Sequence, residues 1–76
     1  MSRFRFSRSI PDGEDWKITG FVREGQGGDG NLRVTYRCAW TGMPAYDTMP
    51  VGKLREKIAL ANKKDPNDPV KIRRVG

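Results

Sequence analysis

The side chains that could carry out chemistry in this sequence are few in kind, because it contains no histidine and one cysteine. Without histidine it can form no Ser-His-Asp triad, no Cys-His pair and no histidine-bearing zinc site. The lone cysteine, Cys38, excludes an internal disulfide and is predicted to be a buried structural thiol. The 9 Asp and Glu residues form no recognisable calcium loop or acid–base pair. The sequence therefore predicts a protein that is not an enzyme and that uses no cofactor or metal.

Positive charge is what the sequence has in excess, with 15 Lys and Arg against 9 Asp and Glu and a net charge of +6. Small, strongly basic domains commonly bind nucleic acid or another polyanion. A solvated charged surface is the simpler explanation, but the cations occur in groups along the chain, which favours binding. The candidate nucleic-acid-binding residues are Arg3, Arg5, Arg33, Arg37, Lys71, Arg73 and Arg74.

Aromatic residues are the second group that could contact a ligand. Phe4 and Phe6 alternate with arginines, and exposed rings in such a setting can stack on nucleic-acid bases. Trp16 and Trp40 lie at the ends of predicted strands, where packing in the core or at a sheet edge is the main alternative to ligand contact. The sequence alone leaves these two interpretations of the tryptophans open.

Residues 32–40 give the strongest strand signal in the sequence. Apolar and polar residues alternate there with a period of two, which is typical of a strand with one buried face. Such a strand belongs to a small sheet whose outer surface can meet an acidic partner. The set predicted to face inward is Leu32, Val34, Tyr36, Cys38 and Trp40, and the outward set is Arg33, Thr35, Arg37 and Ala39.

Two further strands are predicted on either side of this one. Residues 16–23 alternate so that Ile18 and Val22 share the inner face, while Phe21 lies on the outer one. Residues 45–49 are predicted to form a short third strand after a Thr-Gly turn. The sheet is therefore expected to be antiparallel, with short connections.

Residues 24–31 are glycine-rich and contain an Asp-Gly turn signal. We expect a flexible hairpin tip there rather than a phosphate-binding loop, which would need a helix to follow it. From Val51 the apolar spacing becomes helical, with Leu54 and Ile58 on one stripe. Asp65-Pro66 is expected to stop this helix.

The chain is short enough to form one domain with a small core, since a chain of this length buries only about 60–65% of its surface. We expect residues 1–13 to be a basic arm or an extra strand, residues 14–64 the domain, and residues 65–76 a Pro/Asp linker with a basic tail that is either an edge strand or mobile. The predicted fold class is α+β, mainly β: a curled three-stranded antiparallel sheet with a C-terminal helix packed across it. The predicted core is Ile18, Val22, Leu32, Val34, Tyr36, Cys38, Leu54 and Ile58.

Three short motifs occur in order along the predicted strands. They are Glu-Asp-Trp at residues 14–16, Tyr-Arg-Cys-Ala-Trp-Thr-Gly-Met at residues 36–43, and Thr-Met-Pro at residues 48–50. This order resembles a chromodomain over residues 15–63. In that family an aromatic residue follows acidic ones, Tyr-Leu-Val-Lys-Trp-Lys-Gly-Tyr ends the second strand, and Thr-Trp-Glu-Pro precedes the helix. The resemblance implies a chromo-like, SH3-related small barrel.

Chromodomains commonly hold a methylated lysine between aromatic faces by cation–π attraction. By position, Trp16 and Trp40 match the first two residues of that cage, Met43 takes the place of the third, and Tyr46 is near enough in sequence to substitute. The resemblance therefore implies a degenerate aromatic cage. It also implies a histone tail as partner, added as a strand beside residues 12–16.

Three functions are open on this basis. The one we predict is a small chromatin-type binding module with sequence-nonspecific nucleic-acid binding, since Lys and Arg gain affinity from phosphates without reading bases. The second is a methyl-lysine or histone-tail peptide reader, although a basic surface suits a basic tail poorly. The third is a small protein-interaction factor, of viral origin for example, that docks on a host protein.

No apolar run approaches the roughly 18 residues that span a bilayer, so no membrane partner is expected. The N-terminal segment lacks the apolar region of a secretory signal. Its Arg- and Ser-rich composition is that of an organelle transit peptide, but its alternation favours a strand. We expect an intracellular protein, nuclear if its source is a eukaryote, and the sequence does not predict its oligomeric state.

Overall fold

The computed structural model describes residues 2–23 and 30–76, which form strands and one helix. The predictions made for residues 24–29, the flexible tip and its turn, lie outside the described residues. The elements are β1 (Arg3–Pro11), β2 (Trp16–Arg23), β3 (Asn31–Cys38), β4 (Pro44–Pro50), α1 (Val51–Lys64) and β5 (Ile72–Arg74).

All the strands belong to one antiparallel sheet of 5 strands in the order β4-β3-β2-β1-β5. The α+β, mainly β class is confirmed, but the prediction of a three-stranded sheet is wrong. β1 adds to β2 because its Phe6 and Ile10 are buried beside the core. β5 then returns after the helix and pairs with the free edge of β1.

The helix α1 covers one face of the sheet and packs against β1 and β4. Pro50 precedes it in an extended conformation that suits the entry to a helix. Leu54 is 2% exposed and Ile58 is partly buried against the same cluster, so the predicted apolar stripe is confirmed. The buried cluster comprises Phe6, Ile10, Ile18, Leu32, Val34, Tyr36, Met49, Leu54, Ala61 and Val70.

Cys38 is not part of that buried cluster. It lies at the end of β3 beside the turn into β4, where it is half-buried. The prediction of a fully buried thiol is therefore wrong. Alternation places Cys38 on the inner face of β3, but α1 does not cover that face as far as the end of the strand.

A bulge in β2 changes which of its residues face the core. The pairing register with β3 shifts between Ile18 and Gly20, so Thr19 is an extra residue. After the bulge Phe21 pairs with Val34 on the core side. Val22 therefore lies on the opposite side, and the prediction that it shares a face with Ile18 is wrong.

Gly20 is required at this bulge by the neighbouring strand. A Cβ atom built on it would lie 2.6 Å from the carbonyl oxygen of Phe4 in β1. Any other residue would have to push the two backbones apart. The glycine lets β1 approach β2 closely at the centre of the sheet.

The β5 segment is attached to β1 by polar contacts from both sides. The Ser7 amide donates to the carbonyl oxygen of Lys71, and the Lys71 amide donates to Ser7 Oγ at 2.8 Å. Arg8 forms ion pairs with Asp65 and Asp68 in the connection after α1. These contacts place the basic C-terminal strand beside the basic β1.

Candidate functional site

The sheet has one face that α1 does not cover, and the strand register shows which residues lie on it. Residues paired directly across antiparallel strands project to the same side. Thr35 alternates with the buried Val34 and Tyr36, so Thr35 and its partners lie on the side away from the helix. We call this side the open face. One row of pairs crosses the whole open face through Tyr46, Thr35, Gly20, Arg5 and Arg73.

Two more rows lie on the open face, one on each side of the first. Both follow from the same register, and both carry basic residues. They are Thr48–Arg33–Val22–Arg3 and Pro44–Arg37–Lys17–Pro11.

Six of the 15 Lys and Arg residues lie on the open face, namely Arg3, Arg5, Lys17, Arg33, Arg37 and Arg73. Within residues 2–23 and 30–76, the carboxylates all lie elsewhere. They are Asp12, Glu14 and Asp15 in the β1–β2 turn, Asp47 on the helix side of β4, Glu56 on α1, and Asp65 and Asp68 after it. The cations of the open face therefore lie together, apart from the carboxylates of the described residues, and produce a positive potential there.

A groove of about 610 Å³ lies along the open face. Its floor is formed by β2. Neighbouring strands are about 4.8 Å apart, so β1 and β3, which flank this floor, are about 10 Å apart. One wall carries Arg3, Arg5 and Arg73, and the other carries Arg33, Arg37 and Tyr46.

The floor of the groove is low and offers few hydrogen-bond donors. Gly20 has no side chain, and the apolar Val22 is 8% exposed. Thr35 Oγ1 donates to the carbonyl oxygen of Gly20 at 3.0 Å. Thr19 Oγ1 lies 3.4 Å from the Thr35 carbonyl oxygen and 3.3 Å from its hydroxyl. Because both hydroxyls bond within the sheet, the guanidinium groups of Arg3, Arg5 and Arg73 are the main donors for a ligand. On the opposite wall, Arg37 Nη1 donates to the Gly42 carbonyl oxygen at 3.0 Å.

An aromatic ring lies on the wall that carries Arg33, Arg37 and Tyr46, which we call the β4 wall. Tyr46 is 63% exposed, and the guanidinium carbon of Arg33 lies 5.6 Å from the centre of its ring. This distance is within the range of a cation–π contact. The wall therefore combines a charged group and a flat aromatic surface at one point.

Two of the predicted nucleic-acid-binding residues lie outside the groove. Arg74 pairs with Phe4, which stacks on Phe21 on the core side of the sheet. Lys71 precedes β5 and does not line the groove. The other predicted residues, Arg3, Arg5, Arg33, Arg37 and Arg73, all line it.

Alternation in the sequence places Lys17 on the outer face of its strand but did not identify it as a binding residue, and it did not identify Gly20 or Val22 as parts of this face. The bulge at Thr19 moves Val22 to the open face, and alternation alone cannot show that shift. A lone glycine inside a predicted strand is the available signal, because it often marks a bulge or a close backbone approach.

The residues predicted to form an aromatic cage are divided between the two sides of the sheet. Trp16 pairs with Cys38, which is two residues after the buried Tyr36 and so lies on the helix side, whereas Tyr46 is on the open face. Trp40 is 81% exposed in the β3–β4 turn, and its Nε1 donates to Asp15 Oδ1 at 2.5 Å. That contact joins the β3–β4 turn to the β1–β2 turn. Met43, in the same turn as Trp40, is exposed.

The outer edge of β4 offers few free backbone donors. The Cys38 amide donates to the Met43 carbonyl oxygen, and the pairing register of β3 with β4 is unbroken from there. The backbone groups of residues 44, 46, 48 and 50 therefore point away from β3. Pro44 and Pro50 have no amide hydrogen. The Thr48 amide donates to Asp47 Oδ1 at 2.8 Å. Among these outward amides only that of Tyr46 is left for an added strand, so this edge is a poor template for one.

Two groups on the helix side have shifted pKa values. Burial, the nearby carboxylates of Asp12 and Asp47, and a hydrogen bond to the side chain of Asp12 together raise the pKa of Tyr36 to about 12. A hydrogen bond to the side chain of Thr41, together with backbone hydrogen bonds, lowers the pKa of Cys38. Neither group belongs to the open face, so the charge there does not depend on their titration.

Within residues 2–23 and 30–76, no helix is long and apolar enough to cross a membrane. The same residues contain no group of three or more His, Cys, Asp and Glu that could hold a metal ion. Comparison of the chain with protein-family models, with curated proteins and with solved structures gives no match. The open face is therefore the basis on which a function can be inferred.

Proposed function

We propose that this protein binds nucleic acid without sequence specificity through the open face. The observation that supports the proposal is the separation of charge, with arginines on both walls of the groove and the described carboxylates on other surfaces. Cations arranged in this way neutralise phosphates and release counterions, which provides affinity for any sequence. Arginine also matches the geometry of phosphate oxygens with its planar fork of donors.

The lack of specificity follows from where the hydrogen-bond donors are. Sequence is read by side chains that reach base edges, whereas phosphate contacts position the nucleic acid. The floor hydroxyls of Thr19 and Thr35 bond within the sheet, and Val22 offers no polar group. The guanidinium groups on the walls suit phosphates, and the floor offers little to read a base.

We keep the chromo-like relationship as a proposal for β2, β3, β4 and α1, to which β1 and β5 are additions. Closure of the sheet into a barrel is not supported, because β4 and β5 are at opposite edges. Methyl-lysine reading has less support than nucleic-acid binding, since Trp16 and Tyr46 are on opposite sides of the sheet. The strand addition predicted beside residues 12–16 is disfavoured because residues 12–15 lie in the turn between β1 and β2. The β4 edge is limited by its prolines.

The test removes charge from the open face and compares it with the same removal from the helix. Arg5 and Arg37 are exposed on opposite walls of the groove, and Lys53 and Lys63 are exposed on α1. Each double change to Gln takes two positive charges from +6 and leaves +4, so the two variants have equal net charge. Binding to DNA and RNA is measured over a salt series.

We expect Arg5→Gln with Arg37→Gln to weaken binding. It should also lower the magnitude of the salt slope by about 0.9 per lost contact on duplex DNA, or about 0.7 on single strands. Lys53→Gln with Lys63→Gln should change both quantities much less. Equal effects from the two variants would mean that net charge, and not the open face, determines binding. No binding by the parent protein would refute the proposed function.

A further inference from the structure

We propose that the groove on the open face takes a single strand of nucleic acid in preference to a duplex. This inference rests on the proposed function and names the form of nucleic acid that the same site binds. Three features of the groove support it: its width, its aromatic wall and the composition of its floor.

The width of the groove is set by strand spacing. The basic walls on β1 and β3 are separated by the single strand β2, which places their backbones about 10 Å apart. A B-form duplex, whose major groove alone is about 12 Å wide, is too broad to enter such a space and would touch only its rims. One sugar–phosphate backbone can lie along the floor with arginines on either side. Gly20 keeps the floor low at the centre, because it has no side chain.

The β4 wall supplies a surface on which an unpaired base can stack. Tyr46 is 63% exposed and is next to the Arg33 guanidinium. Bases in a single strand stack on tyrosine rings and on arginine planes, whereas the bases of a duplex are already stacked on each other. A charged groove with an aromatic ring at its wall is the combination that nonspecific single-strand binders use.

The two walls of the groove suit different parts of a nucleotide, one the phosphate and the other the base. Arg3, Arg5 and Arg73 provide the charge of one wall and suit phosphates. The opposite wall adds Tyr46 to its cations. A strand in the groove would therefore have its phosphates towards β1 and β5 and a base towards β4.

The experiment compares labelled homopolymeric single strands of DNA and of RNA with duplexes of the same length at one salt concentration. We expect the parent protein to bind the single strands about tenfold more tightly or better. Tyr46→Ala should weaken single-strand binding by about 5- to 100-fold and weaken duplex binding much less. Tyr46→Phe keeps the ring and should bind like the parent. Trp40→Ala removes an exposed ring outside the open face and serves as the matched control.

The possible outcomes distinguish failure of this inference from failure of the proposed function. Equal affinity for single strands and duplexes, with both weakened by Arg5→Gln and Arg37→Gln, would overturn the inference and leave the proposed function standing. Single-strand binding that is unaffected by Tyr46→Ala, or that is lost equally in Tyr46→Phe, would also overturn it. Failure to bind any nucleic acid would overturn both.

Discussion

At the scale of single residues, Gly20 determines both how the sheet packs and what the groove looks like. Its missing side chain lets β1 approach β2, since a Cβ would lie 2.6 Å from the Phe4 carbonyl oxygen. The same absence leaves the middle of the groove floor without a side chain. One residue thus links the packing of the sheet to the shape of the candidate site.

We predict that Gly20→Ala destabilises the fold by about 1–3 kcal/mol, because the backbones of β1 and β2 must move apart. The matched control is Gly52→Ala. Gly52 lies in the first turn of α1 with nothing within 4 Å of a built Cβ, so alanine should be neutral there or stabilise by up to about 1 kcal/mol. Urea unfolding of the three proteins measures both effects. A Gly20→Ala variant as stable as the parent would show that the close approach is absent in solution.

At the scale of elements, the helix is what makes the two sides of the sheet different. α1 crosses from β4 to β1 and buries the inner residues of the strands between them. Lys17, Arg33 and Arg37 of those strands are left on the other side. The packing of α1 therefore decides which face can meet a ligand.

We predict that Leu54→Ala costs roughly 2–5 kcal/mol, because it leaves a cavity where α1 contacts the sheet. Leu60 is on the same helix but is 58% exposed, so Leu60→Ala should change the free energy of unfolding by less than about 0.5 kcal/mol. Thermal and urea unfolding of the two variants provide the comparison. If both variants lost the same stability, α1 would not be packed through Leu54.

Elements with strong local patterns were predictable from the sequence, and elements held by distant contacts were not. β3 and α1 follow from regular alternation and helical spacing over many residues. The short β5 is only residues 72–74 and is specified by pairing with β1 at the other end of the chain. For the same reason the arginines of β1, β3 and β5 were recognisable as candidates, but their convergence on one groove depends on a strand order that the sequence does not show.

At the scale of the whole molecule, the distribution of charge and the form of the sheet edges both favour the open face as the binding surface. The net charge of +6 is not spread evenly, because the described carboxylates lie at the turns, on the helix side and in the connection to β5. The sheet edges are also unequal, with β4 limited by its prolines and β5 short. The broad surface of the open face is thus better suited than either edge to bind a partner.

The most direct test of binding on the open face is to map the surface that nucleic acid contacts. The backbone amide signals of the isotope-labelled protein are followed during titration with a short single-stranded oligonucleotide. Binding in the groove should give the largest changes at Gly20, Val22, Arg33, Thr35 and Tyr46, with saturation and with loss of the effect at high salt. Changes confined to the outer side of α1 around Lys53 and Lys63, or to the turns around Trp16 and Trp40, would contradict it.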